Sequence, residues 1–181
     1  MDQQHIAAYL QASGSERVIH VDEQDRELGV VSRADAQSRG LITRCTFIFV
    51  FNSRGELCVH QRTPHKRLYP SFWDVAAGGV VAAGESYLQG AERELAEELG
   101  VAGVPLTEHF RFFFNSAESQ LWGGVFSCRW DGPLTLQPEE VQAVRWVDPR
   151  SDWQRAGEQY APDSLEALAR LLQHSSLELH A

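Results

Sequence analysis

The sequence predicts an α+β domain, with helices layered on a mixed β-sheet in an α/β/α sandwich. Three observations lead there. Short runs rich in aromatic and β-branched residues stand before and after one long amphipathic stretch, giving the order strands, central helix, strands, closing helix. A length of 181 residues suits one domain spanning 1–181. A content of 43% hydrophobic and 23% charged residues suits a chain that buries a core and leaves little room for disorder.

In chain order, residues 1–40 read as an N-terminal extension. It holds a helix over 6–10 and a hairpin of 18–22 and 28–31 around the polar turn Glu23-Gln24-Asp25-Arg26. Segments 46–51 and 56–62 flank Asn52-Ser53-Arg54-Gly55 and form a strand-turn-strand unit. Segment 63–73 contains Pro64, Pro70 and several cations, and reads as a loop. The Gly-containing apolar stretch 75–81 leads to a helix over 86–99, stopped by Gly100 in the C′ position. Segments 110–114, 121–130 and 143–147 read as strands. The closing helix, 162–173, has Pro162 in its first turn and Leu165, Leu168, Leu171 and Leu172 on one face.

Charge and composition remove several function classes. A net charge of −9 repels polyanions, so no nucleic-acid partner is expected. The longest apolar run, 47–51, is far below the roughly 20 residues that span a bilayer, so no membrane partner is expected. The N-terminus opens with an acid and lacks the basic-then-apolar order of a secretory signal, which points to the cytoplasm. Cys45, Cys58 and Cys128 are odd in number without CxxC spacing, and read as reduced, buried thiols.

The helix over 86–99 carries two patterns. Leu88, Ala91, Leu95 and Leu99 form an apolar stripe suited to packing on a sheet. Glu94, Glu97 and Glu98 share another face, within about a turn of one another. Like charges at these spacings repel, and the last turn of a helix disfavours anions. A solvated acidic face is one reading of a Glu-rich helix. A divalent cation is the other, because hard ions bind clustered carboxylate oxygens. Arg93 stands beside the acids and can orient one of them, while Gly79 and Gly84 give the preceding loop its freedom.

The frame around these acids, GVVAAGESYLQGAERELAEELGV over 79–101, matches the Nudix box: Gly-x5-Glu-x7-Arg-Glu-U-x-Glu-Glu-x-Gly-U, with U apolar. A chance match is on the order of one in ten million at this length. The chain therefore resembles the Nudix hydrolases, and the resemblance implies their α/β/α sandwich and hydrolysis of a diphosphate linkage by metal-activated water. It implies Glu94, Glu97, Glu98 and the Gly79 carbonyl as ligands of Mg²⁺, with Mn²⁺ as a substitute. Glu85 and Arg93 would support them. The base that takes the water's proton would be Glu94, Glu140 or Glu118, with a solvated turn as the favoured reading of Glu118 and Glu139. The catalytic set is thus Glu94, Glu98, Arg93 and Glu140.

Substrate contacts are expected from Arg62, Lys66 and Arg67 on phosphate oxygens and from Trp73 as a stacking ring. Phe114 and Trp122 are further aromatic candidates, with packing as their alternative role. The partner expected is a small-molecule diphosphate of nucleoside type; a homodimer is compatible with the sequence. Segments VVAAGES, GVPLTEHFRFFF, LWGGVFSC and PDSLEALA are similar to bacterial YfcD-type Nudix proteins. Two alternatives stand beside hydrolysis. RGELCVHQR and LYPSFWD resemble isopentenyl-diphosphate isomerase, yet Gly78, Val80 and Thr43 occupy the positions of its Cys and His residues, and that chemistry requires a positioned acid. A non-catalytic nucleotide sensor is the second, although such members often carry a degraded box or an added nucleic-acid-binding domain.

Overall fold

A computed structural model describes residues 2–178, with side chains through 174. Its elements are α1 (Gln3–Ser15), β1 (Arg17–Val21), β2 (Glu27–Ser32), α2 (Arg33–Ser38), β3 (Thr43–Phe51), β4 (Leu57–Arg62), β5 (Trp73–Asp74), α3 (Tyr87–Leu99), β6 (Thr107–Asn115), β7 (Gln120–Arg129), β8 (Val141–Val147) and α4 (Pro162–Glu178). The strands form one mixed sheet in which β3 pairs in parallel with β7, and the other strand pairs are antiparallel. The N-terminal hairpin is present as β1 and β2, joined to the sheet where His20 meets Thr43.

β3 explains the architecture. Its side chains alternate between two apolar clusters: Phe47 and Phe49 pack in the one that includes Leu168 and Leu171 of α4, and Ile48 and Val50 in the one that includes Ala91, Leu95 and Leu99 of α3. A strand covered on both faces needs an unbroken apolar run, which is what 47–51 supplies.

One expectation is corrected, at the head of the α3 stripe, and two features are added to the expected order. The turn after β3 forms, with the Asn52 amide donating to the Glu56 carbonyl at 3.0 Å, but β3 and β4 pair only at Phe51 and Leu57. Beyond that point β4 takes β8 as its neighbour, so the strand-turn-strand unit is present but its two strands part after the turn. On α3 the buried stripe begins at Tyr87, and Leu88 is 41% exposed. Gly124 leaves the space that the Tyr87 ring fills, since a Cβ there would lie 2.6 Å from it. Residues 33–38, not expected to be helical, form α2 behind the cap of Ser32, whose hydroxyl accepts the Asp35 amide.

Candidate active site

Ser86 sets the register of α3. Its hydroxyl accepts the Gln89 amide while the Gln89 side chain accepts the Ser86 amide, and Gly100 ends the helix at φ 69°. The helix turns two acids inward with its apolar stripe: Glu94 is 8% and Glu98 3% exposed. The Glu97 side chain stays 51% exposed.

Arg93 ties the acids to the loop before the helix. Its Nε and Nη2 donate to Glu85 at 2.8 and 3.0 Å, its Nη1 to Glu94 at 2.7 Å and Glu97 at 3.3 Å, and its Nη2 also to the Val80 carbonyl at 3.1 Å. Glu98 is held instead by the Gly78 amide, which donates to it at 3.0 Å. Burial pushes the Glu98 carboxyl up to about 7; Lys66 opposes the rise and Glu94 adds to it. Burial also raises Glu94, against the pull of Arg93.

Two buried acids side by side suit a hard divalent cation, which favours their ionised forms. The backbone fits the same purpose. A Cβ on Gly79 would stand 2.6 Å from the Glu94 carboxyl carbon, so any larger residue would push the acid aside. Among the described residues, however, no three metal-ligating side chains converge on one point. Glu97 is turned outward, and the Gly79 carbonyl accepts the Thr46 amide at 2.9 Å, which commits one of its lone pairs to β3.

A cavity of about 510 Å³ borders Gly78, Gly79 and Val80, with β3 as another wall and α1 and α2 across it. Arg33, Arg62, Lys66 and Arg67 line it, while Glu94 and Glu98 stand behind the wall, where the charge of Arg33 acts on Glu94 and that of Lys66 on Glu98. Arg62 spends Nη1 on Asp74 at 2.9 Å and Nη2 on the Leu68 carbonyl at 3.1 Å, whereas exposed Arg67 donates to the Gln37 side-chain oxygen at 3.1 Å. Glu140 is 8% exposed, bonded to Lys66 and the Tyr9 hydroxyl. Its turn is pinned to α3 by the Gln137 amide, which donates to the Glu98 carbonyl at 3.0 Å. Glu139 pairs with His5 at 2.5 Å, and Glu118 is an exposed member of the cavity wall.

The aromatic candidates fall elsewhere. Trp73 is absent from the cavity wall; its ring lies beneath Arg145, whose Cζ is 4.0 Å from the centroid. Phe114 is core, and Trp122 rests on Phe113 at 5.8 Å between centroids. Sequence reasoning missed Tyr9 and Arg33, which reach the cavity only through the folding back of residues 2–40. No local pattern marks either one. The isomerase positions are equally informative: a Cβ on Gly78 would lie 2.0 Å from the Thr46 carbonyl oxygen, so the backbone there has no room for a cysteine. No helix among the described residues is long and apolar enough to cross a membrane.

The NUDIX domain family matches residues 41–168. The chain is 51% identical over 162 residues to the uncharacterized Nudix hydrolase PA4841 of Pseudomonas aeruginosa, covering 89% of this chain and 96% of the relative. It is 40% identical over 169 residues to YfcD of Escherichia coli K12, covering 93% and 90%. The crystal structure of DR0079 from Deinococcus radiodurans is similar with a TM-score of 0.74 and 30% identity, covering 86% of this chain and 98% of that one. With two of the box acids, Glu94 and Glu98, buried on α3 and the family matched over most of the sequence, the chain belongs to the Nudix hydrolases, pyrophosphohydrolases that generally use a divalent metal ion.

Proposed function

We propose that the chain hydrolyses the diphosphate linkage of a small nucleoside-diphosphate-type molecule with Mg²⁺, Mn²⁺ serving in its place. The observation that carries this reading is the pair Glu94 and Glu98, both taken out of water on adjacent turns with Arg93 bonded to only one of them. Glu94 and Glu98 would hold the cation, with Glu97 and the Gly79 carbonyl able to join from the rim. A cation bound there supplies Lewis acidity, lowering the pKa of water and neutralising diphosphate oxygens.

The remaining steps belong to the chain's own groups. Arg93 orients Glu94 through the 2.7 Å bond and ties it to Glu85. Arg62, Lys66 and Arg67, with Arg33 opposite, present positive charge to the phosphates. Glu140 is the base, buried beside Lys66 on a turn fastened to α3. A cavity of about 510 Å³ with Tyr9, Phe47 and Tyr69 in its wall suits the nucleoside part.

A panel of nucleoside triphosphates, ADP-ribose, nucleotide sugars, dinucleoside polyphosphates and isoprenoid diphosphates tests this. Turnover of at least one nucleoside compound, lost with EDTA and restored by Mg²⁺, is expected. Turnover of isoprenoid diphosphates alone would overturn the nucleoside assignment, and tight binding without any turnover would replace hydrolysis by sensing.

A further inference from the structure

Glu140 is gripped from two sides. Lys66 donates to one carboxylate oxygen and the Tyr9 hydroxyl to the other. Lys66 comes from within the family-matched residues, whereas Tyr9 comes from α1, outside residues 41–168. α1 buries none of its own residues, so apolar packing gives it little reason to dock. Its position is set by polar bonds. Near its start His5 meets Glu139 at 2.5 Å and Tyr9 meets Glu140; at its end Arg33 holds Ser13 at 3.1 Å and Glu16 at 3.2 Å. Both bonds from the first part of α1 land on the turn whose Gln137 amide is fixed to the Glu98 carbonyl. A continuous chain of contacts therefore runs from α1 through this turn to the box helix.

We propose that Tyr9 is a positioning residue for hydrolysis: its hydroxyl, together with Lys66, fixes the plane and the ionised form of the Glu140 carboxylate, so that the N-terminal helix completes the active site. This inference rests on Glu140 acting as base, as read above. An O–H donated to a carboxylate favours the charged form, and a carboxylate held at both oxygens cannot rotate. Each oxygen keeps a further lone pair, so one remains able to take a proton. Burial pushes the Tyr9 hydroxyl up to about 12, which keeps it protonated and donating through the neutral range. The charges around the grip come from every neighbouring element: His5 on α1, Arg33 on α2, Arg62 on β4, Glu94 and Glu98 on α3, and Glu139 on the turn.

The test compares the full-length Y9F, E140Q and unaltered chains at saturating Mg²⁺, using the fastest compound of the panel. A ¹³C NMR titration of the Glu140 carboxyl, assigned through E140Q, gives a readout that needs no substrate. Y9F deletes one oxygen and keeps the ring. We expect kcat to fall about 10-fold, the loss of one hydrogen bond to a charged group, with KM within about 2-fold. The Glu140 titration and the acid limb of the kcat profile should both move to higher pH, since the donor that favours the charged form is gone. Thermal stability should hardly change, because Y9F keeps the ring and its packing and α1 holds no fully buried residue. Unaltered kcat and an unmoved titration in Y9F, with E140Q inactive, would overturn the Tyr9 inference alone. A lower Tm with an unmoved titration would assign Tyr9 to folding and overturn it as well. Full activity in E140Q would overturn the reading of Glu140, and this inference with it.

Discussion

α1 and α3 each have thirteen residues, and each starts at a side-chain cap, Asp2 for one and Ser86 for the other. They differ in what they bury. α3 buries seven of its residues and α1 none. Apolar burial at about 25 cal/mol per Å² places α3 whatever its acids cost. α1 is placed by hydrogen bonds worth about 0.5–1.5 kcal/mol each. The difference shows two ways of building one site. The core forces Glu94 and Glu98 out of water, and the exposed helix is drawn to the acidic turn beside them.

The largest expected effect comes from the buried helix. E98Q keeps the size of the side chain and removes its charge, so hydrolysis should fall by on the order of 10³-fold. The folded chain should persist, because a neutral amide is easier to bury than a carboxylate. Mg²⁺-dependent turnover retained in E98Q would take Glu98 out of the metal site and leave α3 as a packing element only. Next comes stability. L95A empties a fully buried position on α3 and should cost about 2–5 kcal/mol. L10A, on α1, changes a side chain that is 45% exposed and should cost less than about 0.5 kcal/mol. Urea unfolding compares the pair. Equal losses would mean that α1 is held by apolar packing, and the contrast between the helices would collapse.

Legibility in the sequence divides along the same line. α3 was readable because its signals are local: Gly100 for the stop and i, i+3, i+4 spacing for the acids. Periodicity put Leu88 at the head of the stripe; the space left by Gly124, on a distant strand, gives that place to Tyr87. The run 47–51 announced a strand but not its parallel partner β7, since pairing depends on tertiary closure. Trp73 carried the chemistry of a stacking residue, yet the fold gives its face to Arg145. Tyr9 had no signal at all, because its role exists only once residues 2–40 fold back over the cavity. What is local in energy was local in sequence.

The smallest expected effect sharpens the comparison by asking what the buried acid costs. Burial raises the Glu98 carboxyl from 4.5 to about 7. Between those values the folded chain holds its proton more firmly than the unfolded chain does. Glu98's contribution to stability is therefore fully present below about pH 4.5 and is lost as pH rises through about 7. A divalent cation requires the ionised carboxylate, so it competes with that proton at low pH and meets no such competition at high pH. The gain in Tm on adding Mg²⁺ should thus be larger at about pH 8 than at about pH 5.5. About 2–4 °C corresponds to each kcal/mol for a chain of this size. Taking the difference with and without Mg²⁺ cancels groups that the cation does not touch, such as buried His60, which burial holds down at about 4. In E98Q the pH dependence of the gain should flatten, and R67Q, altered at an exposed side chain that the proposed metal site does not include, should leave it intact. An equal gain at both pH values in the unaltered chain would mean that Glu98 is not the group the cation deprotonates, and that the cost of burying it is balanced by Lys66 instead.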